Sequence, residues 1–155
     1  MRDHSASMRR AALLLSLILL SASACRRERD PVMACLTGAV ASAEARDADG
    51  VMSRVAEGFR DAEGGGKADA AGLVRRSLAA YEWLSLTLSD VAIERGPAAA
   101  QAKFKVRMSG RPRAVGGLEG LLPRSSNWSF DVRLEPGTGG WKIVWASWTR
   151  LEGGD

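Results

Sequence analysis

Residues 128–148 read WSFDVRLEPGTGGWKIVWASW, and this stretch decides the fold. Trp128, Phe130, Val132 and Leu134 alternate with Ser129, Asp131, Arg133 and Glu135. A period of two places all four apolar side chains on one face of a strand. Pro136-Gly137-Thr138-Gly139 has turn composition, and residues 141–150 carry a second strand. With Glu135 opposite Gly140, the ladder sets Leu134 against Trp141, Val132 against Ile143 and Phe130 against Trp145. Apolar then meets apolar along one buried face. In this register Trp128, Trp141 and Trp145 fill the core, whereas Trp83 and Trp148 fall on the other face.

Upstream, Ala100, Ala102, Phe104, Val106 and Met108 alternate with Gln101, Lys103, Lys105, Arg107 and Ser109. Residues 83–95 form the first strand, but its phase slips. Leu84, Leu86 and Leu88 are even-numbered, whereas Val91 and Ile93 are odd. A turn at Gly96-Pro97 pairs Ile93 with Ala100 and Val91 with Ala102. One extra residue at Ser89-Asp90 then restores Leu88 to Phe104, Leu86 to Val106 and Leu84 to Met108, which predicts a β-bulge there.

Before Trp83 the period is helical. Pro31 suits the first helical position after Asp30 as cap. Val32, Cys35, Leu36, Ala39, Val40 and Ala43 then line one helix face, Cys35 as a small buried hydrophobe. Asp47 or Asp49 caps a second, short helix carrying Val51, Met52, Val55 and Phe59, which DAEGGGK (residues 61–67) ends. Asp69 starts a third, with Leu73, Val74, Leu78 and Tyr81 inward and Arg75 and Arg76 outward. The expected fold is α+β: three N-terminal helices packed on one face of a curved antiparallel sheet of four strands or slightly more. Lys103, Lys105, Arg107, Asp131, Arg133 and Lys142 dress the solvated face. Residues 31–150 make one domain and 151–155 a disordered tail.

The first 24 residues read as an address. Arg9 and Arg10 precede the apolar run AALLLSLILL (residues 11–20), and SASA (21–24) precedes Cys25. A run of ten residues spans about 15 Å as a helix, half a bilayer core, so it reads as a signal rather than a span. Either Met1 or Met8 serves as the start. ASAC (22–25) resembles a bacterial lipobox, with Ala22 where Leu is usual, and the likeness implies that Cys25 is acylated and becomes the N-terminus of the mature chain. Residues 26–30 (RRERD) are then a basic tether of at most about 18 Å, and its arginines face either solvent or anionic headgroups. The expected location is the periplasmic face of a membrane in the cell envelope, the outer membrane ahead of the inner because Arg26, not Asp, follows Cys25.

Composition bounds the chemistry. The chain has 155 residues, 46% hydrophobic and 26% charged, enough for one domain. The net charge of +4 falls to +2 once the three Arg and one Asp of residues 1–24 are set aside. That leaves no clustered basic face for nucleic acid. One His, His4, and two Cys exclude zinc fingers, His-ligated metals, Ser-His-Asp triads and disulfide scaffolds. No cofactor motif occurs, and none is expected.

Two segments, RDADGVMSRVAEGFRD (46–61) and the closing hairpin (128–148), resemble bacterial lipoproteins with a nuclear transport factor two-like (SnoaL-like, cystatin-like) cone. The resemblance covers about residues 31–150. It implies an apolar pocket between helices and sheet, for which the candidate lining is Phe59, Tyr81, Phe104, Trp128, Phe130 and Trp145. Enzymes of this cone need a proton-shuttling Asp or His and a Tyr or acid donor in that pocket. Here Tyr81 and Asp61 are the available pair, with Asp61 read first as a turn residue. Three readings follow: a non-enzymatic module binding a small apolar ligand or an envelope protein; an isomerase- or hydrolase-like enzyme using Tyr81 and Asp61; and an envelope-assembly accessory recognised through its outer sheet face. The connection 111–126, with Arg111, Arg113 and Arg124, is long for a strand link.

The lipobox reading makes a direct prediction. Wild type should incorporate a fatty-acid label and partition into detergent, whereas Cys25→Ser should stay an unlabelled, uncleaved precursor. A soluble, unlabelled wild-type mature protein would refute it.

Overall fold

The computed structural model describes residues 30–114 and 122–152. The signal, Cys25 and its tether up to residue 29, residues 115–121 of the 111–126 connection and the last three residues lie outside the described residues.

Among the described residues, three helices, α1 (Pro31–Glu44), α2 (Ala48–Met52) and α3 (Lys67–Ala79), accompany five strands. These are β1 (Val55–Asp61), β2 (Tyr81–Arg95), β3 (Ala100–Pro112), β4 (Ser125–Gly137) and β5 (Gly140–Leu151). They form one sheet in the order β1-β5-β4-β3-β2. The four long strands pair antiparallel, as expected, but β1 adds parallel to β5 and makes the sheet mixed.

β1 is a correction. Val55 and Phe59 continue no helix. They are the two buried positions of a strand. Spacing by four is shared by both structures, since i and i+4 lie on one face of either. The residue that betrays a strand, i+2, is Glu57, and a register shift between Val55 and Arg60 leaves it exposed, paired with Lys67. The loop after β1 is organised by Asp61, whose carboxylate accepts the N–H groups of Glu63 (2.9 Å) and Gly65 (2.7 Å).

The bulge in β2 lies where the phase slip put it. The register shifts between Ser89 and Ala92, and Asp90 takes a positive φ of 52°. The pairing itself runs two residues further along than expected: Ile93 meets Ala102, Leu88 meets Val106 and Leu86 meets Met108. Two residues is a full period, so every side chain keeps its face. The difference comes from a wider turn: Arg95 pairs with Ala100, so Gly96–Ala99 form a four-residue loop where two residues were expected, bridged by the Gly96 N–H on the Ala99 carbonyl at 2.8 Å.

The β4–β5 hairpin differs more. Its loop is only Thr138-Gly139, with Gly137 opposite Gly140, and positive φ at Gly139 and Gly140 lets the chain reverse so tightly. Leu134 therefore meets Ile143. A second bulge follows at Val144, after which Arg133 meets Trp145, Val132 meets Ala146 and Phe130 meets Trp148. The phase inverts. Trp148, expected outside, packs against the core, and Trp145, expected inside, shares a row with Arg133 and Arg60 on the opposite face.

α1 supplies the lid. Val32, Cys35 and Leu36 from its first turns are buried against Ala100, Ala102, Val132 and Leu134 in one cluster. Burial pushes the Cys35 thiol above its ordinary pKa, against the lowering charges of Arg54 and Lys142. At the other end of α1, the Glu44 carboxylate accepts the Leu86 N–H at 2.7 Å, covering a donor of the edge strand β2. Asp47 caps α2 through the Gly50 N–H at 2.8 Å. α3 buries Leu78, but Leu73, expected inward, is 41% exposed. Tyr81 does not end α3; it opens β2. Leu151 belongs to β5, pairing with Asn127, so ordered structure passes residue 150.

Two substitutions test this packing. A Cβ at Gly110 would stand 2.8 Å from the Trp83 carbonyl oxygen and 2.9 Å from the Tyr81 ring, so Gly110→Ala should cost about 2 kcal/mol. Trp148→Ala should cost about 3 kcal/mol and Trp145→Ala clearly less. Chemical denaturation of both tryptophan variants decides the phase of β5: equal losses, or a larger one at Trp145, would contradict the second bulge.

Candidate functional site

The inner sheet face is not evenly covered. Residues near the α1 start are sealed: Leu134 and Ala102 are fully buried and Ala100 is 2% exposed. Toward the other end, Met108, Trp128, Phe130 and Trp148 are only half-buried. Register places them together. One row runs Leu88–Val106–Trp128–Arg150, and the neighbouring one holds Phe104, Phe130 and Trp148. The Phe104 and Phe130 rings stack at 5.3 Å and 9°.

Polar groups occupy the rim of this apolar ledge. Trp128 donates from Nε1 to Ser126 Oγ at 2.9 Å, and Ser126 is itself buried. The Tyr81 hydroxyl donates to the Pro123 carbonyl at 2.9 Å, while its ring is buried with Leu78 and Leu84. Burial raises the Tyr81 pKa, and the positive charge of Arg150 pulls it the other way. Arg150 is thus close enough to be felt at Tyr81. It ends the Trp128 row as an exposed cation, with no ion-pair partner among the described residues. No sequence argument singled it out. The bulge at Val144 moves it from the outer phase to the inner one.

The candidate pocket residues therefore separate. Phe59, Phe104 and Phe130 belong to the main core or pack against it, and Tyr81 to the smaller cluster. Trp128 sits on the ledge, and Trp145 faces the other way. Tyr81 and Asp61 are not brought together as a catalytic pair. They lie on the two edge strands, separated along the sheet by four strand spacings of about 4.8 Å, or about 19 Å. Each already has its own partner, the Pro123 carbonyl for one and two backbone N–H groups for the other. Asp61 serves as the turn residue of its loop. Trp83 stays 52% exposed, and its row partner Arg111 pairs with Glu82. Two surface clefts lie away from the ledge. One, of about 360 Å³, is at the β2–β3 turn, and the other, of about 410 Å³, is where α1, α2 and α3 meet.

No family model and no curated protein matches the chain. Solved structures do. A protein of the NTF2-like family from Streptomyces avermitilis, provisionally named a dehydratase, superimposes with a TM-score of 0.65 at 14% identity over 79% of this chain and 95% of its own. A Novosphingobium aromaticivorans protein, provisionally named a scytalone dehydratase, gives 0.65 at 10% identity, over 77% and 81%. An NTF2-like superfamily protein from Salmonella enterica gives 0.63 at 15%, over 80% and 91%. The chain also matches Bd1075 of Bdellovibrio bacteriovorus, with a TM-score of 0.62 at 12% identity, but spans only 40% of that structure. At these identities the likeness establishes the NTF2-like, cystatin-like cone and leaves activity open.

Because Tyr81 is the single tyrosine, its titration can be read without ambiguity. Phenolate absorbance should appear with a midpoint above the ordinary value of 10. The folded pKa is raised, so folding stability is intact below pH 10 and declines as pH rises above it. A midpoint at or below 10 in the folded protein would contradict burial as the dominant influence on the phenol.

Proposed function

We propose that this domain is a non-enzymatic binding module of the cell envelope, anchored through Cys25, which holds a small apolar molecule with one acidic end. The observation that carries this reading is the half-buried aromatic ledge ending on Arg150. An apolar body can cover Trp128, Phe130 and Trp148, removing apolar surface from water at roughly 25 cal/mol per Å². A carboxylate at its end would meet the unpaired guanidinium in the fork geometry that arginine favours. The separation of Tyr81 and Asp61 on opposite edge strands supports binding rather than proton transfer, because the two groups do not converge on one substrate atom.

The test is a titration of the full chain in detergent micelles with decanoate and with decanol. Decanoate should quench tryptophan fluorescence saturably. Arg150→Gln should weaken decanoate about tenfold while leaving decanol within a factor of about two. Trp128→Ala should weaken both. Equal loss of both ligands on Arg150→Gln, or no saturable quenching, would overturn the reading. Turnover of a small hydroxy acid or enone, abolished by Tyr81→Phe, would install the enzyme reading in its place.

A further inference from the structure

We propose that the cleft framed by Arg46, Arg75 and Arg113 is a second binding site, distinct from the ledge, that takes a phosphate ester. The cleft measures about 410 Å³ and is lined by these three arginines with Ala45, Ala48, Leu78 and Ala79. They come from three places in the chain: the turn after α1, the last turns of α3, and the residue after β3. Arg46 Nη1 and Arg113 Nε both donate to one acceptor, the Tyr81 carbonyl, at 3.4 and 3.2 Å. The Arg113 backbone N–H fixes the same corner through the Ala80 carbonyl at 2.8 Å. Two cations therefore converge on a single neutral oxygen. Neither has a carboxylate partner among the described residues. Arg75 has one, Asp49 at 3.1 Å, in a well-exposed pair.

Like charges gathered without an anion repel, and a dianion entering between them would reverse the sign of that interaction. Phosphate fits the planar fork of guanidinium and offers the charge the cleft lacks. The alanine and leucine wall leaves room for an organic group beside the phosphate, so the expected ligand is an ester rather than inorganic phosphate.

The backbone makes a second, independent case. Arg46 has a positive φ of 57°. It sits at the position just past α1 where the Asp47 N–H bonds the Ser42 carbonyl (2.8 Å) and the Arg46 N–H bonds the Ala43 carbonyl (2.9 Å). That pair of bonds is the Schellman ending, whose left-handed residue is usually glycine. An arginine there strains the backbone for the sake of its side chain. Attraction between cations and helix C-termini accounts for Arg76 in the last turn of α3. It does not require a side chain at position 46, where glycine would cap α1 better.

The experiment is calorimetric titration of the full chain in detergent micelles with two soluble probes. Phenyl phosphate represents a free monoester, and glycerophosphoglycerol represents an anionic lipid headgroup. Saturable binding of either probe, weakened about tenfold or more by Arg113→Ala and by Arg46→Gly, supports the site. The probe bound more tightly identifies the source of the phosphate. Arg46→Gly also separates binding from architecture, because its thermal midpoint should equal or exceed that of wild type while the affinity falls. Arg150→Gln should leave phosphate binding unchanged, which separates this site from the ledge. The proposal is overturned if neither probe binds, if binding survives both arginine substitutions, or if Arg46→Gly lowers the midpoint and leaves affinity intact.

Discussion

One constraint organises the domain: a single sheet face must stay apolar over strands longer than their own alternation can supply. β2 has 15 residues and β5 has 12. Twisting and curving over such lengths, neither keeps one phase to its end. Each inserts a residue, at Asp90-Val91 and at Val144, and each insertion returns apolar side chains to the face that α1 covers. Without the insertion in β2, half of that strand would present its leucines to water; the insertion in β5 exchanges Trp145 for Ala146 and Trp148 on that face. Between them β3 and β4 run without interruption, which places Phe104 directly opposite Phe130, where the rings stack.

The same insertions decide what the inner face offers. The start of α1 seals one end of it. The other end keeps aromatic surface half open and closes on Ser126, the Tyr81 hydroxyl and Arg150. The helix corner carries a different chemistry, with the guanidinium groups of Arg46 and Arg113 on the Tyr81 carbonyl and Arg75 lining the same cleft. Tyr81 links the two, its side chain turned to the ledge and its backbone to the arginines.

Much of this was legible in the residues, and the illegible parts have physical causes. α1, the alternation of β3 and β4 and the bulge in β2 follow from apolar spacing. That bulge could be found because β2 is apolar on one side only, so that Leu88 and Val91 cannot both belong to one phase. β5 hides its bulge because both phases are apolar: Trp141, Ile143 and Trp145 in one, Val144, Ala146 and Trp148 in the other. Either register satisfies a hydrophobicity argument: the turn at Thr138-Gly139 moves the pairing by a full period of two and keeps every face, and only the bulge at Val144 inverts the phase. β1 escaped because Val55 and Phe59 are four apart, a spacing that helix and strand share. Arg150 escaped with β5, since its face is set by the hidden bulge. The arginine cleft joins residues 46, 75 and 113, which meet only through tertiary packing.

The central claim is that the second bulge turns Trp148 and Arg150 inward beside Trp128 and turns Trp145 away, creating the ligand-binding ledge. Nuclear magnetic resonance of isotope-labelled tryptophan, with the five indole signals assigned by substitution, measures this directly. On titration with decanoate, the indoles of Trp128 and Trp148 should shift saturably, while those of Trp83 and Trp145 stay in place. A saturable shift at Trp145 with Trp148 unmoved would contradict the account.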